Sequence, residues 1–137
     1  MNLTIRPSRL ISEIQDEFSK MFPYLKLEFF KNKSGKRLDY SINNIIRHNQ
    51  KLAEGQIQLV DGLIDIQPGM TVKELEDQFR KEFSLAVQVF RRSGNVWLET
   101  TMTDNWTLKH QNDHGKELSA DRKKDQSLDF DLSRGED

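Results

Sequence analysis

The chain has no cysteine. Disulfides, thiol catalysis and cysteine metal sites are therefore excluded, and a reducing compartment is the expectation. A dominant sign of charge is also missing. Lys and Arg number 21 against 22 Asp and Glu, a formal net charge of −1. No global field points to nucleic acid or to an anionic membrane. No stretch approaches the roughly 20 apolar residues of a membrane-spanning helix. The first seven residues lack the apolar run of a signal peptide, so a cytoplasmic protein is expected. Apolar residues are scarce as well, at 35% of the 137, and the shortage is concentrated near the C-terminus. The remainder is long enough for one domain with one sizeable core.

The marks of catalysis are few. There is no nucleophile elbow, and Lys33-Ser-Gly-Lys36 lacks the upstream glycine and the following Ser or Thr of a phosphate loop. Glu28, Asp65 and Glu99 alternate away from apolar neighbours and read as solvent-facing strand residues rather than a converging acid/base set. His110 and His114, four apart with Asp113 beside them, are the nearest approach to a metal site, but no further ligand is evident. The sequence argues for binding over catalysis, with no cofactor and no resident metal.

What the chain does have is a repeat. Residues 3–30 and 64–91 align without a gap at an offset of 61, and eight of the 28 pairs are identical. Unrelated sequences would share about two. Ile5/Ile66, Pro7/Pro68, Glu13/Glu74, Phe18/Phe79 and Phe22/Phe83 are among the identities. An internal duplication therefore sets the expected architecture. Each copy reads as strand, helix, strand, strand. The first strands, Leu3–Arg6 and Ile64–Gln67, stop at a proline, which cannot donate to a sheet ladder. In the second helix Thr71 and Glu74 form a capping box, and Val72, Leu75, Phe79 and Phe83 line one face. Leu10, Ile14, Phe18 and Phe22 do the same in the first, where Ser8 is the expected cap.

Alternating second strands follow, Leu25–Phe30 and Ala86–Phe90. Each reaches a Ser-Gly turn, Ser34-Gly35 or Ser93-Gly94, and a third strand, Arg37–Ser41 or Val96–Thr103. Residues 42–55 read as a linker with a short helix. Gln56–Val60, Asp61-Gly62 and Leu63–Gln67 read as a hairpin. Trp106 and Leu108 fall on a short helix capped at Thr103 or Asp104 and ended by Gly115. Residues 115–137 hold 12 charged residues and are expected to be a disordered tail, in which Leu128–Leu132 is the one candidate linear motif.

The expected fold is α+β over residues 1–114, with repeat copies at about 3–41 and 64–103. One mainly antiparallel sheet carries both repeat helices on one face, with Phe18, Phe22, Phe79 and Phe83 in the core. Two small lobes, or strands exchanged between two chains, are the alternatives, so the chain is expected as a monomer or a homodimer. Two surfaces are candidates for binding. Trp97, Glu99, Thr101 and Thr103 alternate onto one face of the last strand, opposite Val96, Leu98, Thr100 and Met102. An exposed tryptophan among threonines suits a protein partner. The second surface is basic: Lys31, Lys33, Lys36 and Arg37, with Arg91 and Arg92 at the matching turn, could meet phosphates.

Ser93 through Gly115, SGNVWLETTMTDNWTLKHQNDHG, is similar to the most distinctive block of a family of small uncharacterised bacterial proteins. The similarity extends through Leu25–Lys31 and Met70–Arg92. That family has no assigned activity, so the resemblance implies a common fold and no site. Residues 56–108 also resemble ubiquitin-like β-grasp modules in element order, which implies protein binding. The chain departs from them in having no clear fifth strand after Leu108 and no acidic cluster of the self-associating class.

Overall fold

A computed structural model describes residues 1–31 and 40–132, with side chains through Ala120. The described residues form β1 (Asn2–Ile5), α1 (Ile11–Met21), β2 (Leu25–Phe30), β3 (Gly62–Asp65), α2 (Val72–Phe83), β4 (Ala86–Ser93), β5 (Val96–Glu99) and α3 (Leu108–Leu132). The fold is α+β, as the element order implied. The strands divide between two antiparallel sheets, however, and not one. β1 pairs with β3, while β2, β4 and β5 form a three-stranded sheet in that order. Both strands of the smaller sheet are four residues long and are followed within three residues by Pro7 or Pro68, which limits that ladder.

Both registers are unchanged when residue i is exchanged for i + 61. Leu3 pairs with Ile64, its own counterpart. Leu27 pairs with Val89, the counterpart of Glu28, and Glu28 pairs with Gln88, the counterpart of Leu27. The exchange continues outside the aligned segments. Residues 48–53, read from sequence as linker, occupy the place that 104–109 occupy beside α2. The amides of Ile11 and Ser12 donate to the carbonyls of Gln50 and His48; those of Val72 and Lys73 donate to Trp106 and Asp104. Leu52 and Ala53 donate to Arg9 and Pro7; Leu108 and Lys109 donate to Met70 and Pro68. Leu52 and Leu108 are both buried. No α-helix forms in 42–55. That span holds two 3-10 turns, Ile42–Asn44 and Leu52–Glu54, because its amides are used by neighbouring segments and by short i→i+3 bonds.

One cluster of buried side chains runs from Leu3 to Leu108, so the two halves share a core. Ile11, Ile14, Phe18 and Phe22 enter it from the first half, and Val72, Leu75, Phe79 and Phe83 from the second. Phe29 meets Phe79 edge to face at 5.7 Å, a favoured aromatic geometry. α2 starts as expected: the Glu74 amide donates to Thr71 Oγ1 at 3.0 Å, and the Thr71 amide donates to Glu74 Oε1 at 2.8 Å. α1 starts at Leu10 rather than Ser8, and Leu10 has no side-chain acceptor. Glu13 still reaches back to the Leu10 amide at 3.0 Å, which supplies half a box.

Four further expectations are corrected. Gln56–Val60 is not a strand, and β3 finds its partner in β1 instead of a local hairpin. Gly62 belongs to β3, paired with Ile5, and a Cβ there would lie 2.7 Å from the Phe83 ring. β5 ends at Glu99, and Thr101–Thr103 form a 3-10 turn. Gly115 does not end the last helix. α3 continues through it to Leu132. A Cβ at Gly115 would lie 2.9 Å from Tyr24 Cβ and 3.2 Å from the Arg92 carbonyl oxygen, so glycine allows α3 to press onto β4. The Ser34-Gly35 turn and residues 37–39 of the expected third strand lie outside the described residues. Among the described residues, no helix is long and apolar enough to cross a membrane.

Candidate functional site

The side chains of β2 alternate. Leu25, Leu27 and Phe29 face the core, while Lys26 and Glu28 face the other way. Register carries that outer face across the sheet. Lys26 lies opposite Phe90 on β4, Phe90 opposite Glu99 on β5, and Arg92 opposite Trp97. Trp97 is half-buried there. Lys26 Nζ lies 5.1 Å from the Trp97 ring centroid, and the Arg92 guanidinium carbon lies 5.7 Å from it. Contacts of this kind hold a cation over an aromatic π-surface. Lys26 also pairs with Glu28 at 2.9 Å.

A groove of about 690 Å³ opens from Trp97 across Lys26 and Glu28. Its walls are Gln15 and Ser19 of α1 and the segment Ile45–Asn49. The groove follows an edge of β2 where, among the described residues, side chains take the place of a strand. Gln15 Nε2 donates to the Leu27 carbonyl at 2.6 Å, and Ser19 Oγ donates to the Leu25 carbonyl at 3.3 Å. Arg47 and His48 stand on the opposite wall. Among the described residues, neither Arg47 nor Arg92 is paired with a carboxylate. Among the charged residues that line it, Lys26 and Arg47 stand against Glu28, so the groove combines an aromatic wall with one cation in excess.

The other candidate residues disperse. Glu99 is exposed beside Trp97 on the same face. Thr101 lies in the turn after β5 and accepts from Gln88 Nε2 at 3.2 Å. Thr103 lies beyond it, where its carbonyl and hydroxyl oxygens each accept from Gln111 Nε2 at 2.7 Å. The side of β5 opposite Trp97 is open: Val96 and Leu98 are 44% and 41% exposed, and Met102 beyond the strand is 95% exposed. The chain leaves the strand at Thr100, whose hydroxyl turns in to the Val89 carbonyl at 2.8 Å. Of the basic candidates, Lys33, Lys36 and Arg37 lie outside the described residues. Lys31 follows β2. Arg91 and Arg92 belong to β4, not to its turn, and so point to opposite faces of the sheet. Arg91 is held by Gln111 at 2.8 Å and lies over Trp106, and its burial lowers its pKa.

His110 and His114 do share one face of α3, but that face meets an aromatic ring. Trp106 stacks on His110 at 4.2 Å and meets His114 edge-on at 5.5 Å. Asp113 is paired with Lys109 at 2.7 Å. Among the described residues, no group of three His, Cys, Asp or Glu side chains is placed to hold a metal ion.

Glu76 is the most perturbed carboxyl. It is the counterpart of Gln15 at an offset of 61, and it too serves a strand edge, accepting from the Val89 amide at 3.0 Å. Where β5 ends, Glu76 and Thr100 take the amide and carbonyl of Val89 that a longer strand would have paired. Burial raises the Glu76 pKa to about 7, and the charges of Asp104 and Asp77 add to the shift.

Sequence reasoning found Trp97 but not Lys26 or the Gln15–Ser19 wall. Alternation along β2 was enough to place Lys26 on the outer face. Only the order β2-β4-β5 brings that face beside Trp97. Compared with protein-family models, with curated proteins and with solved structures, the chain matches none of them.

Proposed function

We propose that this chain is a non-catalytic protein-interaction module whose partner docks in the Trp97 groove. The observation that supports it is the convergence of α1, β2 and the segment Ile45–Asn49 on one half-buried tryptophan, with Arg47 on the groove wall and Arg92 against the Trp97 ring. Tryptophan and arginine are the residue types that carry most binding energy at protein interfaces.

The test is a native capture experiment with the full chain at low salt, with and without nuclease. The wild-type chain is expected to retain a stoichiometric protein after nuclease. Trp97→Ala is expected to weaken that complex by about 30-fold or more, the consequence of losing a hot spot of about 2 kcal/mol. An unchanged melting temperature would show the variant folded. Capture that vanishes with nuclease would instead favour the basic residues Lys31, Lys33, Lys36 and Arg37 as a nucleic-acid surface.

A further inference from the structure

β5 is the last strand of its sheet, and among the described residues no strand lies along its other side. Register fixes which way the backbone points along that edge. The Arg92 amide donates to the Tyr24 carbonyl at 2.9 Å, so Arg92 is bonded toward β2. Its partner on β5 is Trp97. That pair is therefore of the non-hydrogen-bonded kind, and so is Phe90 with Glu99, two residues along. The N–H and C=O groups of Trp97 and Glu99 then point away from β4. Among the described residues they meet no backbone partner. Natural sheets protect such edges with lysine, proline or a bulge. Val96–Glu99 contains no lysine and no proline, and its register with β4 has no bulge. It exposes Val96 and Leu98 on one face. On the other face Glu99 is exposed and, among the described residues, has no cation partner.

We propose that this edge pairs with itself: β5 of a second copy lies antiparallel to β5 and joins the two three-stranded sheets into one. The residue on the two-fold axis sets the register. An axis at Val96 or Trp97 brings Asn95, a turn residue, into the ladder. An axis at Glu99 sets two carboxylates directly against each other, which is destabilising. An axis at Leu98 uses strand residues alone. Trp97 then lies opposite Glu99 of the second copy, and each such pair exchanges both of its N–H···O=C bonds. The two exposed Leu98 side chains meet at the axis and cover one another. On the opposite face, Arg92, Trp97 and Glu99 of the second copy fall in one row across three strands. The Arg92 guanidinium carbon already lies 5.7 Å from the Trp97 ring centroid, so opposite charges flank the indole. The groove runs from Trp97 toward β2, away from this edge, so self-pairing is separate from docking in the groove. β5 is four residues long, which makes the interface small and the association weak.

Sedimentation equilibrium of the full chain, over about 10 μM to 1 mM, tests it. A monomer–dimer equilibrium is expected. Leu98→Lys places like charges against each other at the axis and should raise the dissociation constant at least about tenfold. The absence of cysteine supplies a second measurement. Non-hydrogen-bonded partners in an antiparallel ladder have Cα atoms about 4.5 Å apart, within the reach of a disulfide. Leu98→Cys is therefore expected to cross-link to its own copy under mild oxidation, and dithiothreitol should release it. Val96→Cys starts from a side chain just as exposed, but its two copies would lie roughly 14 Å apart and should not cross-link. Unchanged melting temperatures of the reduced variants would show that they fold. A monomer at every concentration overturns the proposal. So does a dimer indifferent to Leu98→Lys, or cross-linking as fast at position 96 as at position 98.

Discussion

Gln15 and Glu76 stand 61 residues apart at the same position of two helices, and each reaches a strand edge. The amide does so beside an open groove. The carboxyl does so in a buried place, where its pKa rises to about 7 from an ordinary 4.5. A folded-state pKa above the unfolded value means the native chain binds the proton more tightly. Stability contributed by that proton is then fully present below about pH 4.5 and is lost as pH rises to about 7. The full span is up to about 3 kcal/mol. Glu76→Gln keeps an oxygen that can accept from the Val89 amide and removes the charge. It should be more stable than wild type at pH 8 by about 1–3 kcal/mol, and nearly equal to it at pH 5. Urea unfolding at the two pH values measures this, and an equal difference at both would refute the buried-carboxylate account.

At the scale of elements, the helices of the repeat were legible because their signals are local. Thr71 and Glu74 cap within one turn, and the phenylalanines recur at helical spacing. The end of α3 was misread because glycine has two uses. It often terminates helices, but it also permits a helix to approach a strand, and Gly115 does the second against Tyr24 and Arg92. The two uses differ in what alanine does. At an unpacked helical glycine, alanine stabilises by roughly 1 kcal/mol. Here its methyl group must displace Tyr24 or the Arg92 backbone, so Gly115→Ala should destabilise by about 1–3 kcal/mol. Thermal unfolding gives the sign directly. The hairpin expected around Asp61-Gly62 failed for a related reason: β3 has β1 as a partner 60 residues away in sequence, and local turn chemistry does not compete with that pairing.

At the scale of the whole molecule, two sheets and one core decide cohesion. Phe29 of the first half packs on Phe79 of the second, and buried side chains from Leu3 to Leu108 form a single cluster. Two independent lobes would melt separately. A shared core predicts one transition, with far-ultraviolet circular dichroism and tryptophan fluorescence coinciding. Phe79→Ala should cost about 3–5 kcal/mol and lower both signals together. Separate transitions in that variant would show that each half keeps a core of its own.

The sequence by itself determined the α+β class, the two repeat helices with their apolar faces, the strands that follow them, and Trp97 as a candidate contact. Each of these rests on periodicity or capping within a dozen residues. Only the tertiary structure decided that the strands form two sheets, that residues 48–53 and 104–109 take equivalent places, and that Lys26, Arg47 and Trp97 border one groove. Those facts depend on backbone hydrogen bonds and packing between residues far apart in the chain. Side-chain alternation tells which face a residue takes, but not which strand will lie beside it.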